Sequence, residues 1–384
     1  MTTENQDRAL KIALVAPYDL STPGGVNAHI RSLASSLRRL GHEATIYGPA
    51  SKQGALEPGE IGLGGSLGVH FGGTVSGMGL NPLLDRKIRG ILRRERFDVV
   101  HVHEPLTPIL PWLFLRNARA PIVGTFHVHR EEGHSVYAAF SWFLKMWSRR
   151  LDYRIAVSEA ARQTVARYFP GDYDMLPNGV DVARYSEPTE PPPLTPGRRE
   201  IVFVGRLEGR KGLEYLIRAI PSVVADAPNA RLVVVGDGPE REDCEQLARD
   251  LCPDGAVLFA GAVDENAKAG YLQAAEIFCS PATHGESFGI VLLEAMAAGR
   301  PIVASAIEGY AGLLVADEAG LLVPPRDPDA LAAALIHLLD NEAERTALGR
   351  RAAEAAEKYD WLAIARRIEA IYRRLLERET VRPG

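Results

Sequence analysis

The sequence predicts two doubly wound α/β domains facing each other across a ligand-binding cleft. Three observations carry that prediction. The 384 residues exceed a single domain of ordinary size. Short apolar runs alternate with helical periodicity, and the alternation restarts after residue 200. Between the two series lies SEPTEPPPLTPGRRE, whose five prolines suit neither a helix interior nor a central strand.

The elements follow in order. From Lys11, KIALVAPY reads as a strand buried on both faces. After the loop STPGGV, the spacing of Ile30, Leu33, Leu37 and Leu40 predicts a helix over 27–40, ended by Gly41. HEATIYGPA, FDVVHVHEP, APIVGTFHVH and YRIAVS supply further strands, giving a first domain over 11–185 and a linker over 186–199. The second domain, 200–358, opens with EIVFVGRL and a helix over 212–225. RLVVVGDG, AVLFAGAV, EIFCSPA and PIVAS continue it as strands. A last helix, within 359–379, is expected to cross back to the first domain.

Composition narrows the function. Hydrophobic residues make up 46% and charged residues 24%, as in ordinary globular proteins and unlike disordered or collagenous ones. The net charge of −5 argues against a nucleic-acid partner. It conceals an asymmetry: residues 1–200 carry 24 Lys+Arg against 20 Asp+Glu, and residues 201–384 carry 20 against 29. Cys244, Cys252 and Cys279 form no C-x-x-C pair, so neither a disulfide framework nor a zinc site is expected. MTTENQDRAL lacks a signal-peptide core, and no apolar run reaches the length of about 18 residues that spans a bilayer. A cytoplasmic location is the expectation.

In open α/β sheets, ligands bind beyond the carboxyl ends of the strands. Four clusters lie there. Pro23-Gly24-Gly25-Val26 would let backbone N–H groups approach a phosphate. Gly205 to Gly212 gathers Arg206, Arg210 and Lys211 on a flexible turn, a plausible clamp for a diphosphate. It is not a P-loop, having no Ser or Thr after the lysine. Ala282 to Met296 runs from a glycine-punctuated loop into a helix, with the N–H groups of Phe288, Gly289, Ile290 and Val291 at the helix start. Within it, Glu294 falls in an apolar stretch where a carboxylate needs a partner, and a ribose diol would serve. The fourth cluster, Gly124 to His129, closes a strand with His127. His101 and His103 are near, but alternation along their strand is expected to turn at most one side of that pair to the ligand, and no metal site is expected.

With those residues in place, the chain resembles a retaining glycosyltransferase of the GT-B fold, family 4, and within it the phosphatidylinositol mannosyltransferases. The matching segments are Pro23-Gly24-Gly25, HVHEP, Thr125-Phe126-His127, Pro177-Asn178-Gly179, Gly205-Arg206 with Lys211-Gly212, Gly236-Asp237-Gly238-Pro239 and GESFGIVLLEAMAAG. The resemblance implies two facing Rossmann-like domains and transfer of a hexose, mannose from GDP-mannose by preference, without a metal or other cofactor. Arg206 and Lys211 would hold the diphosphate, with Gly25 approaching it. Glu286 and Phe288 to Val291 would meet the donor sugar and phosphate, and Glu294 the ribose. Val263 and Lys268 would border the base, and His127 would sit at the reaction centre. Catalytic roles thus fall to His127, Glu286, Arg206 and Lys211, and acceptor contacts are expected from Tyr18, Asn27, His129 and Arg210. The acceptor side departs from the lipid enzymes at Ser21, Asn27, Leu106 and 128–132.

The expected acceptor is a glycolipid or phosphatidylinositol-like lipid at a membrane surface. Residues 81–96 place Leu84, Ile88, Ile91 and Leu92 on one stripe flanked by six Arg and Lys, and residues 136–151 are aromatic and end in two arginines. Both suit an anionic bilayer surface, and both equally suit helices covering a sheet. The rival functions are transfer to a soluble sugar or sugar phosphate, and nucleotide-sugar binding without turnover.

Overall fold

The computed structural model describes residues 8–381 apart from 23, 65–66, 72–73, 79–81, 108, 129–140, 287 and 316–317. It divides into two compact units, Met1–Asn178 with Trp361–Gly384, and Gly179–Asp360.

The first unit is built on a seven-stranded sheet, all of whose neighbouring strands run parallel. Its strands are β1 (Lys11–Val15), β2 (Glu43–Gly48), β3 (Glu60–Gly62), β6 (Val99–His103), β7 (Ile122–Phe126), β8 (Tyr153–Ala156) and β9 (Asp174–Met175). Their order is β3-β2-β1-β6-β7-β8-β9, and β4 (Leu67–Phe71) pairs with β5 (Thr74–Met78) as a separate hairpin. Its helices are α1 (Gly25–Arg39), α2 (Pro82–Glu95), α3 (Leu110–Asn117), α4 (Ser141–Ser148) and α5 (Glu159–Ala166). Alternation along β1 explains why an unbroken apolar run was needed. Ile12 and Leu14 enter one core with Ile30, Leu33 and Leu37 of α1, while Ala13 and Val15 enter another with α2 and α3.

The second unit carries α6 (Val182–Ser186) and six parallel strands in the order β12-β11-β10-β13-β14-β15. These are β10 (Arg199–Val204), β11 (Ala230–Val235), β12 (Val257–Gly261), β13 (Ile277–Ser280), β14 (Ile302–Ser305) and β15 (Gly320–Val323). Between and after them run α7 (Leu213–Asp226), α8 (Arg241–Leu251), α9 (Glu265–Ala274), α10 (Ile290–Ala297), α11 (Glu308–Leu314), α12 (Pro328–Asp340) and α13 (Glu342–Ala356). Again one strand feeds two cores: Ile201 and Phe203 face one, Val202 the other.

One boundary differs from expectation. The units divide at Asn178/Gly179, ahead of the proline-rich stretch, which docks on the second unit. Thr189 donates from its N–H and Oγ1 to Gln273 Oε1 at 3.1 and 3.0 Å, and Gln273 Nε2 donates back to the carbonyls of Tyr185 and Glu187. The last helix, α14 (Trp361–Val381), belongs to the first unit, where Ile364, Ile368 and Tyr372 pack into the core shared with α1.

The apolar stripe of α2 also finds a different use. Leu84, Ile88 and Ile91 are buried among residues of β6 and α3, so they are not available to enter a bilayer. What α2 exposes is charge, in Arg86, Lys87, Arg89, Arg93 and Arg94. In α4, Leu144 is buried and Trp142 and Met146 are exposed; residues 136–140 lie outside the described residues. Among the described residues no helix is long and apolar enough to cross a membrane.

Candidate active site

Two clusters form at strand ends, one in each unit. In the second unit, the chain leaves β10 through Arg206 and Glu208 and makes one 3₁₀ turn, Gly209–Lys211, before Gly212. Gly212 has φ 68°, and a Cβ there would lie 2.1 Å from the Pro281 carbonyl oxygen, so only glycine fits. That close approach, with the Thr283 N–H donating to Arg210 O at 2.8 Å, brings the β10 loop against the loop that follows β13. Glu286 on that second loop then receives two cations on Oε1, Arg210 Nη1 and Lys211 Nζ, each at 2.5 Å. Arg210 also meets Glu208 at 2.6 Å. Arg206 is the least engaged, 65% exposed and 3.6 Å from Glu208.

Beside this ion cluster α10 begins. Gly289 caps it with φ 81°, and a Cβ there would press to 2.8 Å on the Tyr310 ring. Ile290 and Val291 form its partly exposed first turn, where N–H groups have no intrahelical acceptors. Phe288, half-buried, meets the Tyr359 ring edge-on at 6.1 Å. One turn further, Glu294 is buried and accepts from Lys268 Nζ at 2.8 Å. Burial raises the Glu294 pKa, against the pull of Lys268. Burial would lower Lys268, but Glu294 and Glu265 outweigh it and shift it upward. Lys268 also bridges to Glu265 at 2.9 Å, and Tyr185 Oη donates to Glu265 at 3.2 Å. Val263 is half-buried just ahead of α9, which Asp264 caps by accepting from Ala267 N.

In the first unit, the cluster is histidine-rich. His103 Nδ1 and His127 Nε2 are 2.9 Å apart, and His29 Nδ1 lies 2.8 Å from Asn178 Oδ1. One ring nitrogen from each of His29, His103 and His127 lies within 4.8 Å of the other two, and all three residues are buried. Behind them, His101 stacks on His103 at 4.5 Å and bonds Tyr372 Oη and Thr125 Oγ1 at 2.6 and 2.7 Å. Burial pushes His29 down to about 4 and His101 to about 3, and takes His103 and His127 well below the usual range. At neutral pH all four rings are uncharged. Glu104, buried at φ 46°, accepts from the N–H groups of His127 (2.5 Å) and Val128 (2.9 Å) and so fixes the strand end that carries His127.

One expectation needs correction. His101 and His103 do not split between the faces of β6: residues two apart on a strand share a face, and their rings stack. Arg210, expected at the acceptor, lies with Lys211 on Glu286 in the second unit. Asn27 is buried, with Nδ2 donating to the carbonyls of Asp19 (2.8 Å) and Thr22 (3.1 Å), so it ties its own loop together. Tyr18 is half-buried on that loop, and Gly25 is exposed at the start of α1 behind Gly24, an N-cap without a side-chain hydrogen bond. His129 lies outside the described residues. Sequence reasoning missed Glu104, Tyr185, Glu208 and the His29–Asn178 pair. Glu104 carried a local signal as the carboxylate next to HVH, and Asn178 lay in the quoted Pro177-Asn178-Gly179 segment.

Two units, each built on an open parallel sheet, are an architecture this chain shares with solved glycosyltransferases. The sucrose-phosphate synthase of Thermosynechococcus elongatus has the same fold, with a TM-score of 0.77 over 97% of this chain and 100% of that one at 23% identity. The Anabaena protein HepE, solved with UDP, follows at 0.73 and 19% identity over 94% of this chain and 99% of that one. Residues 23–184 match Glycosyltransferase Family 4, and residues 188–355 match Glycosyl transferases group 1. The phosphatidyl-myo-inositol mannosyltransferase of Mycolicibacterium smegmatis is 38% identical over 94% of this chain and 93% of its own length. That of Propionibacterium freudenreichii is 32% identical, covering 94% of each chain. The chain belongs to this glycosyltransferase family.

Proposed function

We propose that the enzyme moves mannose from GDP-mannose to a hydroxyl of a phosphatidylinositol-like lipid, with retention at the anomeric carbon. The observation that supports this reading best is the Arg210–Glu286–Lys211 cluster beside the exposed Arg206 and the first turn of α10. A diphosphate needs dense positive charge and free N–H groups, and both are gathered within one loop pair. As the sugar–phosphate bond breaks, negative charge grows on the departing oxygen. Cations fixed in place before that moment stabilise it without reorganisation. The leaving oxygen would take the proton of the acceptor hydroxyl, so no side-chain nucleophile is required. Glu286 would exchange its cations for the sugar hydroxyls, Glu294 would accept from the ribose, and His127 would meet the sugar.

Relatives that act on phosphatidyl-myo-inositol support the lipid acceptor. The exposed arginines and lysine of α2 add a surface that would hold an anionic bilayer by charge. The test is a screen of nucleotide sugars with phosphatidylinositol vesicles. Mannosylated lipid from GDP-mannose is expected; transfer only to soluble sugars or sugar phosphates would reject the lipid acceptor.

A further inference from the structure

We infer that His103 is a positioning residue for His127: its Nδ1–H donates to His127 Nε2, so that His127 carries its own proton on Nδ1. This rests on the reading that His127 meets the donor sugar.

The argument is an accounting of protons in a closed space. Only one proton can lie between His103 Nδ1 and His127 Nε2, which are 2.9 Å apart. If it belonged to His127, neutral His103 would carry its proton on Nε2. That atom is buried with no hydrogen-bond partner. A buried N–H without an acceptor costs about 1–3 kcal/mol. With the proton on Nδ1 instead, Nε2 is a bare lone pair, the milder deficit.

His29 does not supply a competing donor. Asn178 Oδ1 can only accept, so His29 Nδ1 carries the proton toward it at 2.8 Å. The remaining His29 Nε2 is then a lone pair too, and it likewise has no partner. Burial lowers the pKa of every ring in the group, which removes the alternative of a shared imidazolium. The His103 plane is itself held from behind by the stacked His101, fixed between Tyr372 and Thr125. Glu104 anchors the His127 backbone but not its ring. His103 is therefore the group that sets the ring's orientation and tautomer. The consequence for the reaction is specific: His127 would present a neutral N–H donor to a sugar oxygen, not a base.

Long-range proton–nitrogen NMR of the full chain labelled with ¹⁵N-histidine reads the tautomers directly. The expected result is an Nδ1–H tautomer for both His103 and His127; Nε2–H on His127 overturns the proposal. In turnover, His103→Leu is expected to lower kcat by roughly 10²-fold, the scale of a misplaced catalytic group, with donor KM little changed. His103→Asn, whose amide N–H can stand where Nδ1–H stood, is expected to recover most of that loss. Equal loss in both folded variants, or none in either, overturns it. If His103→Leu does not fold, the wild-type spectrum still decides. One equivalent of tightly bound transition metal in the purified protein would also overturn it, because an ion would then occupy the place of the proton. His127→Ala separates the two readings: wild-type turnover there removes the role of His127 without touching the tautomers.

Discussion

Replacing Lys211 by Ala isolates the charge that the account assigns to the leaving diphosphate. Lys211 Nζ is 2.5 Å from Glu286 Oε1, with side chains only 16% and 12% exposed. Glu286 keeps Arg210 at the same distance after the substitution, so its carboxylate is not stranded. The folding cost should therefore stay near ~1 kcal/mol, the scale of a partly exposed ion pair whose partner retains a second cation. The transition state has no such substitute. Removing one preorganised donor from developing oxyanion charge costs ~2.7–4 kcal/mol, or about 10²–10³ in kcat. Arg206, exposed and held only by a 3.6 Å contact to Glu208, would make up only part of it. The assay is steady-state release of nucleotide in the presence of acceptor, run beside thermal unfolding of both proteins. A kcat within threefold of wild type, with Tm unchanged, would refute the assignment of this cluster to the donor diphosphate. A collapse of Tm together with kcat would make Lys211 a structural residue instead.

Three further outcomes follow from the same geometry. Glu294→Gln removes the buried partner of Lys268, which keeps only Glu265; a stability loss of about 1–3 kcal/mol by urea unfolding is expected, with weakened nucleotide binding by calorimetry, and unchanged nucleotide affinity would exclude a ribose contact. The buried histidines make stability pH-dependent. Their folded pKa values lie below the unfolded value near 6.5, so the unfolded chain takes up protons first as pH falls. Between pH 7 and 5, His29 and His101 should each cost about 2 kcal/mol, with His103 and His127 acting in the same direction, and flat unfolding energies over that window would contradict the neutral cluster. On α2, converting Arg86, Lys87, Arg89, Arg93 and Arg94 to Gln should abolish sedimentation with anionic vesicles while leaving Tm unchanged. Ile88→Ala should instead cost about 2–5 kcal/mol of stability, and the reverse pattern would mean that the apolar stripe enters the bilayer.

Much of the fold was legible because strands buried on both faces have no choice but to be short apolar runs. Ile12 to Val15 and Ile201 to Val204 each feed two cores, and helices between them follow from the period. Glu286, Lys211 and Arg206 were legible as candidates because glycines and charges cluster at the ends of two neighbouring strands. What stayed hidden was the use of an amphipathic face. The stripe Leu84–Ile88–Ile91 has the same spacing whether it covers a sheet or lies on a bilayer, and only the packing against Val100 and Phe114 decides. The histidine cluster was hidden for another reason. His29, His103, His127 and Asn178 come from four separate segments, and Tyr372 from a helix beyond the second unit. No local period links them. Arg210 and Lys211 are adjacent in sequence, and nothing in that adjacency shows that Glu286, 75 residues on from Lys211, receives both.

The central claim is transfer of mannose to a phosphatidylinositol-like lipid by these residues without a metal. Incubating the purified enzyme with GDP-mannose and phosphatidylinositol vesicles in excess chelator, then resolving the product lipid by mass spectrometry and its anomer by NMR, tests it most directly. The account predicts an α-mannosylated lipid whose yield is unaffected by the chelator and falls about 10²–10³-fold in Lys211→Ala. A folded wild-type enzyme that makes no lipid product, or an inverted anomer, would contradict it.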